Sequence, residues 1–266
     1  MKYLFFDVDG TLLPFGRGVP DDTRAALAAA QENGNLIFLS TGRSPAEMDP
    51  RLGVISFDGG VCAGGARAFA DGREIFSSYI SREDLAFTED LCSEHGWRLL
   101  VQCDDASWYR GDFCEMYESL LDRYVGRRLE FGNLIKTDVI PPDAKCTKLL
   151  LVTPDGDMEE ARGLLCDRYD VLDNTVGIPS CYMAEVCQKN VNKGRTMKIL
   201  LDYYGADISD SIAFGDGSND IEIVQAAGIG VAMGNACEAL KEIADYVTAS
   251  CDEDGIGQAL RHFGVI

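Results

Sequence analysis

The sequence predicts an α/β protein in which a parallel-sheet domain is split by an inserted α+β segment. Three observations predict this fold class. Apolar strands and helices alternate in the first third, the same alternation returns in the last third, and the middle of the chain has a different spacing of strands and helices. Uninterrupted apolar runs are typical of strands buried on both faces of a parallel sheet. At 266 residues the chain can form two compact domains. We therefore assign 1–81 and 184–266 to the core and 82–183 to the insertion.

The first predicted unit is a strand, a helix and a second strand. The helix is expected to begin at Asp21 and Asp22, because acidic side chains suit the positive end of a helix, and to stop at Gly34. It lies between apolar strands at 3–6 and 36–39. A unit of this kind implies neighbouring parallel strands joined by a right-handed crossover.

The remaining elements follow from the same signals. A further strand is predicted at 54–57, ending at Asp58. The last third is predicted to alternate helices and strands, in order at 192–204, 211–214, 219–227, 229–232, 236–244, 246–248 and a final helix to 262. The insertion is predicted to contain, in order, a helix at 82–95, strands at 97–101 and 149–152, a helix at 157–169 and a strand at 171–176.

Charge and apolar runs restrict the partners and the compartment. The 44 acidic and 24 basic residues give a formal charge of −20, which argues against binding nucleic acid or anionic membrane surfaces. The longest uncharged stretch, 223–237, has 15 residues and is too short to span a bilayer. The N-terminal apolar run is too short for a signal peptide. We therefore expect a cytoplasmic protein with ten reduced cysteines.

One cysteine stretch suggests a different enzyme class. Cys92 and Arg98 have the spacing of the phosphate-binding loop of cysteine phosphatases, but His95 stands where that loop needs a glycine. Gly96 instead indicates the end of the helix that begins near 82. The stretch is therefore interpreted as structural.

Polar residues gather where predicted strands end and where one helix begins. Because ligands bind beyond the carboxyl ends of strands in open α/β sheets, we expect these residues to lie together. They are Asp7, Asp9 and Gly10 after the first strand, Thr41, Gly42 and Arg43 after the second, Lys193 at a helix start, and Asp216, Asn219 and Asp220 after a later strand.

This set suits a cation beside a phosphate. Two carboxylates one residue apart repel each other unless a cation separates their charges, and Mg²⁺ prefers oxygen ligands. Asp7, the backbone carbonyl of Asp9, and Asp216 could supply three of them. Thr41 could donate a hydrogen bond to phosphate oxygens, and Lys193 would place a positive charge on them.

Each motif alone has a simpler explanation. An Asp-Gly pair is common in hairpin turns, residues 41–43 could form a turn before a helix, and 215–220 could be an acidic surface loop. A calcium loop of the EF-hand type fails, because Gly16 stands where its bidentate glutamate would be. The occurrence of all four motifs at strand or helix ends favours a joint metal and phosphate site.

The motifs together resemble the haloacid dehalogenase (HAD) superfamily, and within it the Cof-type phosphatases with a large cap between the second and third motifs. The resemblance covers essentially the whole chain and rests on residues 7–11, 41–43, 192–194 and 215–220. One departure is Asp58-Gly59-Gly60, where these relatives commonly have Asn-Gly. Asp58 is therefore expected to add negative charge near the mouth of the site.

The resemblance implies a Rossmann-like core of HAD type with an α/β cap, and a role for each motif residue. Asp7 would attack the phosphorus and Asp9 would act as acid and base, with Thr41 and Lys193 as further catalytic residues. Mg²⁺ would be held by Asp7, Asp9 and Asp216. Phosphate or substrate would be contacted by six residues: Gly10, Thr41, Gly42, Arg43, Lys193 and Asn219. Asp220 would contact the site residues rather than the substrate.

The implied function is a Mg²⁺-dependent phosphatase that hydrolyses a small phosphorylated metabolite, such as a sugar phosphate, nucleotide or cofactor phosphate. Two alternatives remain open. One is a phosphotransferase or phosphomutase of the same fold. The other is a non-catalytic protein that binds phosphorylated metabolites.

Overall fold

A computed structural model describes residues 1–126 and 133–266. The chain forms two compact units: unit 1 comprises Met1–Gly42, Asp49–Ser77 and Asn192–Ile266, and unit 2 comprises Arg43–Met48 and Ser78–Val191. The predicted insertion, 82–183, falls inside unit 2, although residues 127–132 of it lie outside the described part of the chain. Unit 2 also contains segments on both sides of that insertion.

The elements of the described residues are numbered here in chain order. The strands are β1 (Tyr3–Phe6), β2 (Leu36–Ser40), β3 (Gly59–Cys62), β4 (Arg67–Ala70), β5 (Arg73–Ser77), β6 (Arg98–Cys103), β7 (Ser107–Tyr109), β8 (Leu134–Lys136), β9 (Cys146–Val152), β10 (Tyr169–Asp173), β11 (Met183–Gln188), β12 (Ser211–Gly215), β13 (Ile229–Ala232) and β14 (Tyr246–Val247). The helices are α1 (Asp21–Glu32), α2 (Arg82–His95), α3 (Phe113–Tyr124), α4 (Met158–Leu165), α5 (Lys193–Tyr204), α6 (Ile221–Ala226), α7 (Glu238–Ile243) and α8 (Gly255–His262).

Unit 1 is built on one sheet with the strand order β14-β13-β12-β1-β2-β3-β4-β5. Neighbours from β14 to β3 are parallel, which confirms the predicted parallel core, and β3, β4 and β5 are antiparallel. Phe6 pairs with Phe214 of β12 and with Leu39 of β2. The carboxyl ends of these three strands therefore finish level with one another, so the residues that follow them meet at one edge.

Aromatic packing holds the central strands of this sheet. All four residues of β1 are buried, Phe5 stacks on Phe38 with ring centroids 4.9 Å apart, and Phe6 stacks on Phe214 at 4.6 Å. Burying each such ring stabilises the fold by about 2–3 kcal/mol. The strand that carries the first motif is therefore held firmly on both sides.

The prediction of a strand at 54–57 is wrong. The chain forms a 3₁₀ turn at Pro50–Val54, where the Asp49 carboxylate accepts a hydrogen bond from the Arg51 amide, and the strand begins only at Gly59. The predicted strand ended before Gly59 and Gly60, whereas these two residues begin β3. A Cβ at Gly59 would collide with the Phe69 carbonyl, and one at Gly60 would press on Leu39, so close strand approach requires both glycines.

Further elements differ from prediction, and α3, β7, β8 and β11 of unit 2 were not predicted. The helix predicted at 157–169 ends at Leu165, because Tyr169 begins β10 and pairs with Gln188. The hairpin of β4 and β5 was not predicted, although Asp71 and Gly72 both adopt the positive φ that tight hairpin turns use.

Unit 2 contains a sheet with the strand order β10-β11-β9-β6-β7-β8. Alternate residues of its strands supply two apolar clusters: Val101, Leu149 and Leu151 join residues of α2 and α4, whereas Leu100 and Leu150 join residues of α3. Helices therefore cover both faces of this sheet.

The structural reading of the cysteine stretch is confirmed. Cys92 is buried in α2, and Gly96 ends that helix with a φ of 70°. The thiol therefore packs in an apolar core rather than at the mouth of a phosphate-binding loop. Among the described residues, no helix is both long enough and apolar enough to cross a membrane.

A buried carboxylate holds the short segment 43–48 in unit 2. Glu47 is 5% exposed, and both of its carboxylate oxygens lie 2.7 Å from the side-chain nitrogen of Gln102. The Ser107 hydroxyl donates to the same carboxylate at 2.7 Å, and the Ser44 amide donates at 3.1 Å. A buried carboxylate is tolerated only when its oxygens are satisfied in this way.

We predict that Glu47→Ala destabilises unit 2 by about 3 kcal/mol, because it leaves the buried donors of Gln102 and Ser107 without an acceptor. The tryptophans of the chain, Trp97 and Trp108, both lie in unit 2, so the unfolding midpoint in urea can be followed by their fluorescence. The control is Asp173→Ala, which removes an exposed ion pair and should cost less than about 1 kcal/mol. Equal midpoints for the two variants would contradict the prediction.

Candidate active site

A buried lysine joins two of the predicted motifs in unit 1. Lys193 is the first residue of α5 and is 2% exposed, and Asn192 caps this helix by accepting a hydrogen bond from the Arg195 amide at 2.8 Å. The Lys193 ammonium donates to Asp7 Oδ1 at 2.6 Å and to Asp220 Oδ1 at 2.7 Å. These contacts span 186 and 27 residues of sequence, so the fold brings together groups that the sequence separates.

The side chains at this centre carry more negative than positive charge. Burial disfavours the charged forms of Asp7 and Lys193. For Lys193, the carboxylates of Asp220 and Asp7 outweigh burial and raise its pKa above the usual range. For Asp7, burial and the negative charge of Asp220 outweigh the attraction of Lys193 and raise its pKa well above normal. One ammonium therefore does not compensate all the carboxylates.

Asp220 has both carboxylate oxygens engaged within the protein. It is fully buried, its Oδ1 accepts from Lys193, and its Oδ2 accepts from the backbone amides of Asp216 and Gly217, each at 3.0 Å. Asp220 can approach the backbone of residue 215 this closely because that residue is a glycine: a Cβ at position 215 would lie 2.5 Å from the Cβ of Asp220. Asp220 therefore orients both Lys193 and the loop that carries Asp216.

Asp216 lies against the loop that follows β1. Its Oδ1 accepts from the Thr11 hydroxyl at 3.2 Å, and burial together with the charge of Asp220 raises the pKa of Asp216 to about 7. Gly10 has a φ of +94°, and any Cβ there would collide with the Asp216 carboxylate. Asp9 is half-buried in the same loop and adds to the raised pKa of Asp216. Glycine at position 10 thus permits the two loops to touch.

The donor set fits a hard divalent cation. Asp7, Asp216 and Asp220 each offer a carboxylate oxygen within 4.8 Å of the others. Because Asp220 is engaged by Lys193 and two amides, Asp7 and Asp216 are the carboxylates best placed to bind a metal ion. Their raised pKa values mean that negative charge is costly here, and a cation would relieve that cost.

The second motif divides between the two units. Thr41 is buried directly after β2, where its amide donates to the Val61 carbonyl at 2.9 Å and its own carbonyl accepts from Gly64 at 3.1 Å. Gly42 is the last residue of that segment of unit 1. Arg43 belongs to unit 2, where its guanidinium donates to the Glu47 carbonyl at 3.0 Å.

Asn219 lies in unit 1 in the 3₁₀ turn Ser218–Asp220 and is half-buried. A Cβ at Gly217 would lie 2.5 Å from Asn219 Oδ1, so that glycine gives the turn its space. The fourth motif therefore keeps Asn219, Asp216 and Asp220 within one short turn.

The expectation for Asp58 is wrong. Its carboxylate accepts from the Ile37 amide at 2.7 Å, near the start of β2, whereas Asp7 and Thr41 follow the ends of their strands. Because β1, β2 and β3 are parallel, Asp58 lies at the opposite edge of the sheet from the site. The error follows from the strand that was predicted to end at Asp58, since β3 begins after it.

One residue of this centre was missed from the sequence, and Thr11 was included in the first motif without a role. The missed residue is Asn235, whose side chain donates to the Gly10 carbonyl at 2.8 Å and lies 3.5 Å from Asp216 Oδ2. A signal was present, because residues 233–235 directly follow the strand predicted at 229–232. Applying the strand-end argument to that strand as well would have found Asn235.

Comparison with known proteins agrees with this geometry. The family model of haloacid dehalogenase-like hydrolases matches residues 4–260. The chain is 28% identical over 267 residues to 5-amino-6-(5-phospho-D-ribitylamino)uracil phosphatase YcsE of Bacillus subtilis (strain 168), covering 99% of this chain and 96% of that protein.

Solved structures give the same result. BT1666 from Bacteroides thetaiotaomicron, a HAD phosphatase, superposes with a TM-score of 0.87 and 28% identity, covering 100% of this chain and 96% of that one. The subclass IIB sugar phosphatase BT4131 superposes with a TM-score of 0.79 and 28% identity, with complete coverage of both chains. The resemblance in the motifs is thereby confirmed along the chain, which belongs to the haloacid dehalogenase-like hydrolases.

Proposed function

We propose that this HAD hydrolase is a Mg²⁺-dependent phosphatase that cleaves small phosphomonoesters through an aspartyl-phosphate intermediate on Asp7. The observation that carries the proposal is the bridge from Lys193 to Asp7 and Asp220, with Asp216 beside it. This arrangement presents a carboxylate oxygen, a lysine ammonium and cation ligands at one point.

Asp7 is the proposed nucleophile. Its carboxylate oxygen would form a bond to phosphorus while the bond from phosphorus to the alcohol oxygen breaks. The contact with Lys193 at 2.6 Å holds one oxygen of Asp7 in place, which orients the carboxylate. Burial raises the pKa of Asp7, and a bound cation would favour the ionised carboxylate that attacks phosphorus.

Asp9 is the proposed acid and base. It would protonate the departing alcohol oxygen, and it would then take a proton from the water that attacks the aspartyl phosphate. Its half-buried position in the loop after β1 suits this role, because a proton donor must also exchange protons with solvent.

Lys193, Thr41, Gly42 and Asn219 are proposed to hold the phosphoryl group. The ammonium of Lys193 offsets the charge of the phosphoryl oxygens, and the Thr41 hydroxyl would donate to them. Arg43 remains a proposed substrate contact. When bound, Mg²⁺ would polarise the phosphoryl group and reduce repulsion from the carboxylates, with Asp7, the Asp9 carbonyl and Asp216 as its ligands.

The proposed substrate class is a small phosphorylated metabolite. The names of the similar proteins include a sugar phosphatase and a phosphatase of a phosphoribitylamino-uracil, so related chains of this length act on different small phosphate esters. The net charge of −20 supports small substrates over nucleic acid, whose phosphate backbone requires basic surfaces.

The experiment is a phosphate-release assay on an aryl phosphate and on a panel of phosphorylated metabolites. We expect release of inorganic phosphate with Mg²⁺, loss of release after chelation with EDTA, and recovery when Mg²⁺ is restored. Conversion between phosphorylated isomers without phosphate release would instead identify a mutase. Binding of phosphorylated metabolites without any turnover would identify a non-catalytic protein.

A further inference from the structure

The carboxamide of Asn235 joins three loops at the carboxyl edge of the unit 1 sheet. Its nitrogen donates to the Gly10 carbonyl at 2.8 Å and lies 3.5 Å from Asp216 Oδ2. Its oxygen accepts from the Cys251 amide at 3.0 Å and from the Ser250 hydroxyl at 3.2 Å. Asn235 itself follows β13, whereas its partners follow β1, β12 and β14. One side chain thus connects the ends of four neighbouring strands.

The loop after β1 needs a connection of this kind. Gly10 has a φ of +94°, and glycine has the broadest choice of backbone angles, so local sterics alone do not hold the Gly10–Thr11 peptide, which carries the Gly10 carbonyl, in one orientation. A side chain at position 10 would restrict the backbone, but it would collide with Asp216. Within the loop, the Thr11 amide of this peptide donates to the Val8 carbonyl at 3.4 Å, and the shorter bond from Asn235 to the Gly10 carbonyl holds the other end of the peptide from outside the loop.

We propose that Asn235 is a positioning residue for the cation site. It holds the Gly10–Thr11 peptide, next in the chain after the Asp9 carbonyl, and the Asp216 carboxylate in the relative placement that a shared metal ion requires. The proposal rests on the proposed function in so far as Asp216 and the Asp9 carbonyl bind Mg²⁺. Asn235 acts through these two groups and needs no contact of its own with the metal or the substrate.

Asparagine suits this position chemically. An N–H group directed at the Gly10 carbonyl and toward the Asp216 carboxylate satisfies both acceptors. Because the amide is neutral, it does not compete with a cation for the carboxylate, as a lysine would. An alanine would lose both the donor and the acceptor that ties the site to Ser250 and Cys251.

The test is Asn235→Ala, studied by thermal unfolding of the full chain without substrate over a Mg²⁺ titration. A ligand that binds only the folded state stabilises it by RT ln(1 + [L]/Kd), so the unfolding temperature rises with ligand concentration once this exceeds Kd. We expect the Mg²⁺ concentration required for a given rise above the Mg²⁺-free unfolding temperature to increase about 10- to 100-fold, the usual cost of removing a group that orients a metal ligand. The Mg²⁺ dependence of phosphate release should shift in the same direction.

The matched control is Asn35→Ala. Asn35 also bridges two backbone groups of unit 1, accepting from the Lys2 amide at 2.8 Å and donating to the Ala30 carbonyl at 3.0 Å. It lies just before β2, at the edge of the sheet away from the site. We expect it to lower the unfolding temperature while leaving the Mg²⁺ dependence unchanged.

The outcomes separate this inference from the proposed function. A wild-type chain that shows no Mg²⁺ response would count against the proposed Mg²⁺ dependence. A normal wild-type response, with the same Mg²⁺ concentration required in Asn235→Ala, would overturn the role of Asn235. If that variant fails to fold, Ser250→Ala is tested in its place, since it removes one donor to the Asn235 oxygen. It should raise the required Mg²⁺ concentration about threefold, and an unchanged concentration would overturn the proposal.

Discussion

Asp7→Asn is expected to lower phosphate release by at least about 10⁴-fold, because an amide oxygen cannot form the acyl phosphate at a useful rate. The amide can still accept the hydrogen bond from Lys193, so the variant should keep its fold. The measurement is steady-state hydrolysis of an aryl phosphate at saturating Mg²⁺, with circular dichroism to verify folding. Activity close to wild type would exclude Asp7 as the nucleophile.

Asp58→Asn is the matched control for Asp7→Asn. It makes the same chemical change at the opposite edge of the sheet and should leave turnover essentially unchanged.

Asp9→Asn should behave differently from both of these variants. With a good aryl leaving group the first step needs no acid, so about one equivalent of aryl alcohol should appear in a burst, followed by slow turnover. No burst is expected from Asp7→Asn, because no intermediate can form.

The motif residues were predictable from sequence because their positions depend on short-range signals. Apolar runs locate β1, β2 and β12, and the polar residues that follow each run must lie at one sheet edge once the strands are parallel. The grouping of Asp7 with Asp216 and Asp220 therefore needed no knowledge of side-chain packing, whereas Lys193 begins α5 and was added from the set of motifs taken together. The chemistry of these groups then limited what could bind there.

The errors concern features that depend on contacts between distant segments. Asp58 was placed at the wrong edge because a strand was predicted to end there, whereas β3 begins after it, and only the approach of β2 and β4 shows why glycines stand in that strand. Asn235 contacts a carbonyl 225 residues away, and its place after the end of β13 was the one signal that pointed to it. Likewise, residues 43–48 belong to unit 2 because Glu47 is buried against Gln102 and Ser107.

Lys193→Met is expected to reduce both activity and stability strongly. Phosphate release should fall by about 10³-fold, because the positive charge that stabilises the transferred group is lost. The free energy of unfolding should fall by about 3–5 kcal/mol, since Asp7 and Asp220 stay buried without their shared cation. Calorimetry at low Mg²⁺ concentration measures the stability, and the aryl phosphate assay measures the activity.

The control is Lys198→Met, which makes the same substitution at an exposed position of α5 and should change neither quantity appreciably. The double variant Lys193→Met with Asp220→Asn tests the cause. Asparagine keeps an oxygen for the amides of Asp216 and Gly217 but removes one buried negative charge, so stability should partly recover while activity stays low. If stability does not recover, lost packing rather than uncompensated charge explains the single variant. If activity recovers, Lys193 is not a catalytic residue.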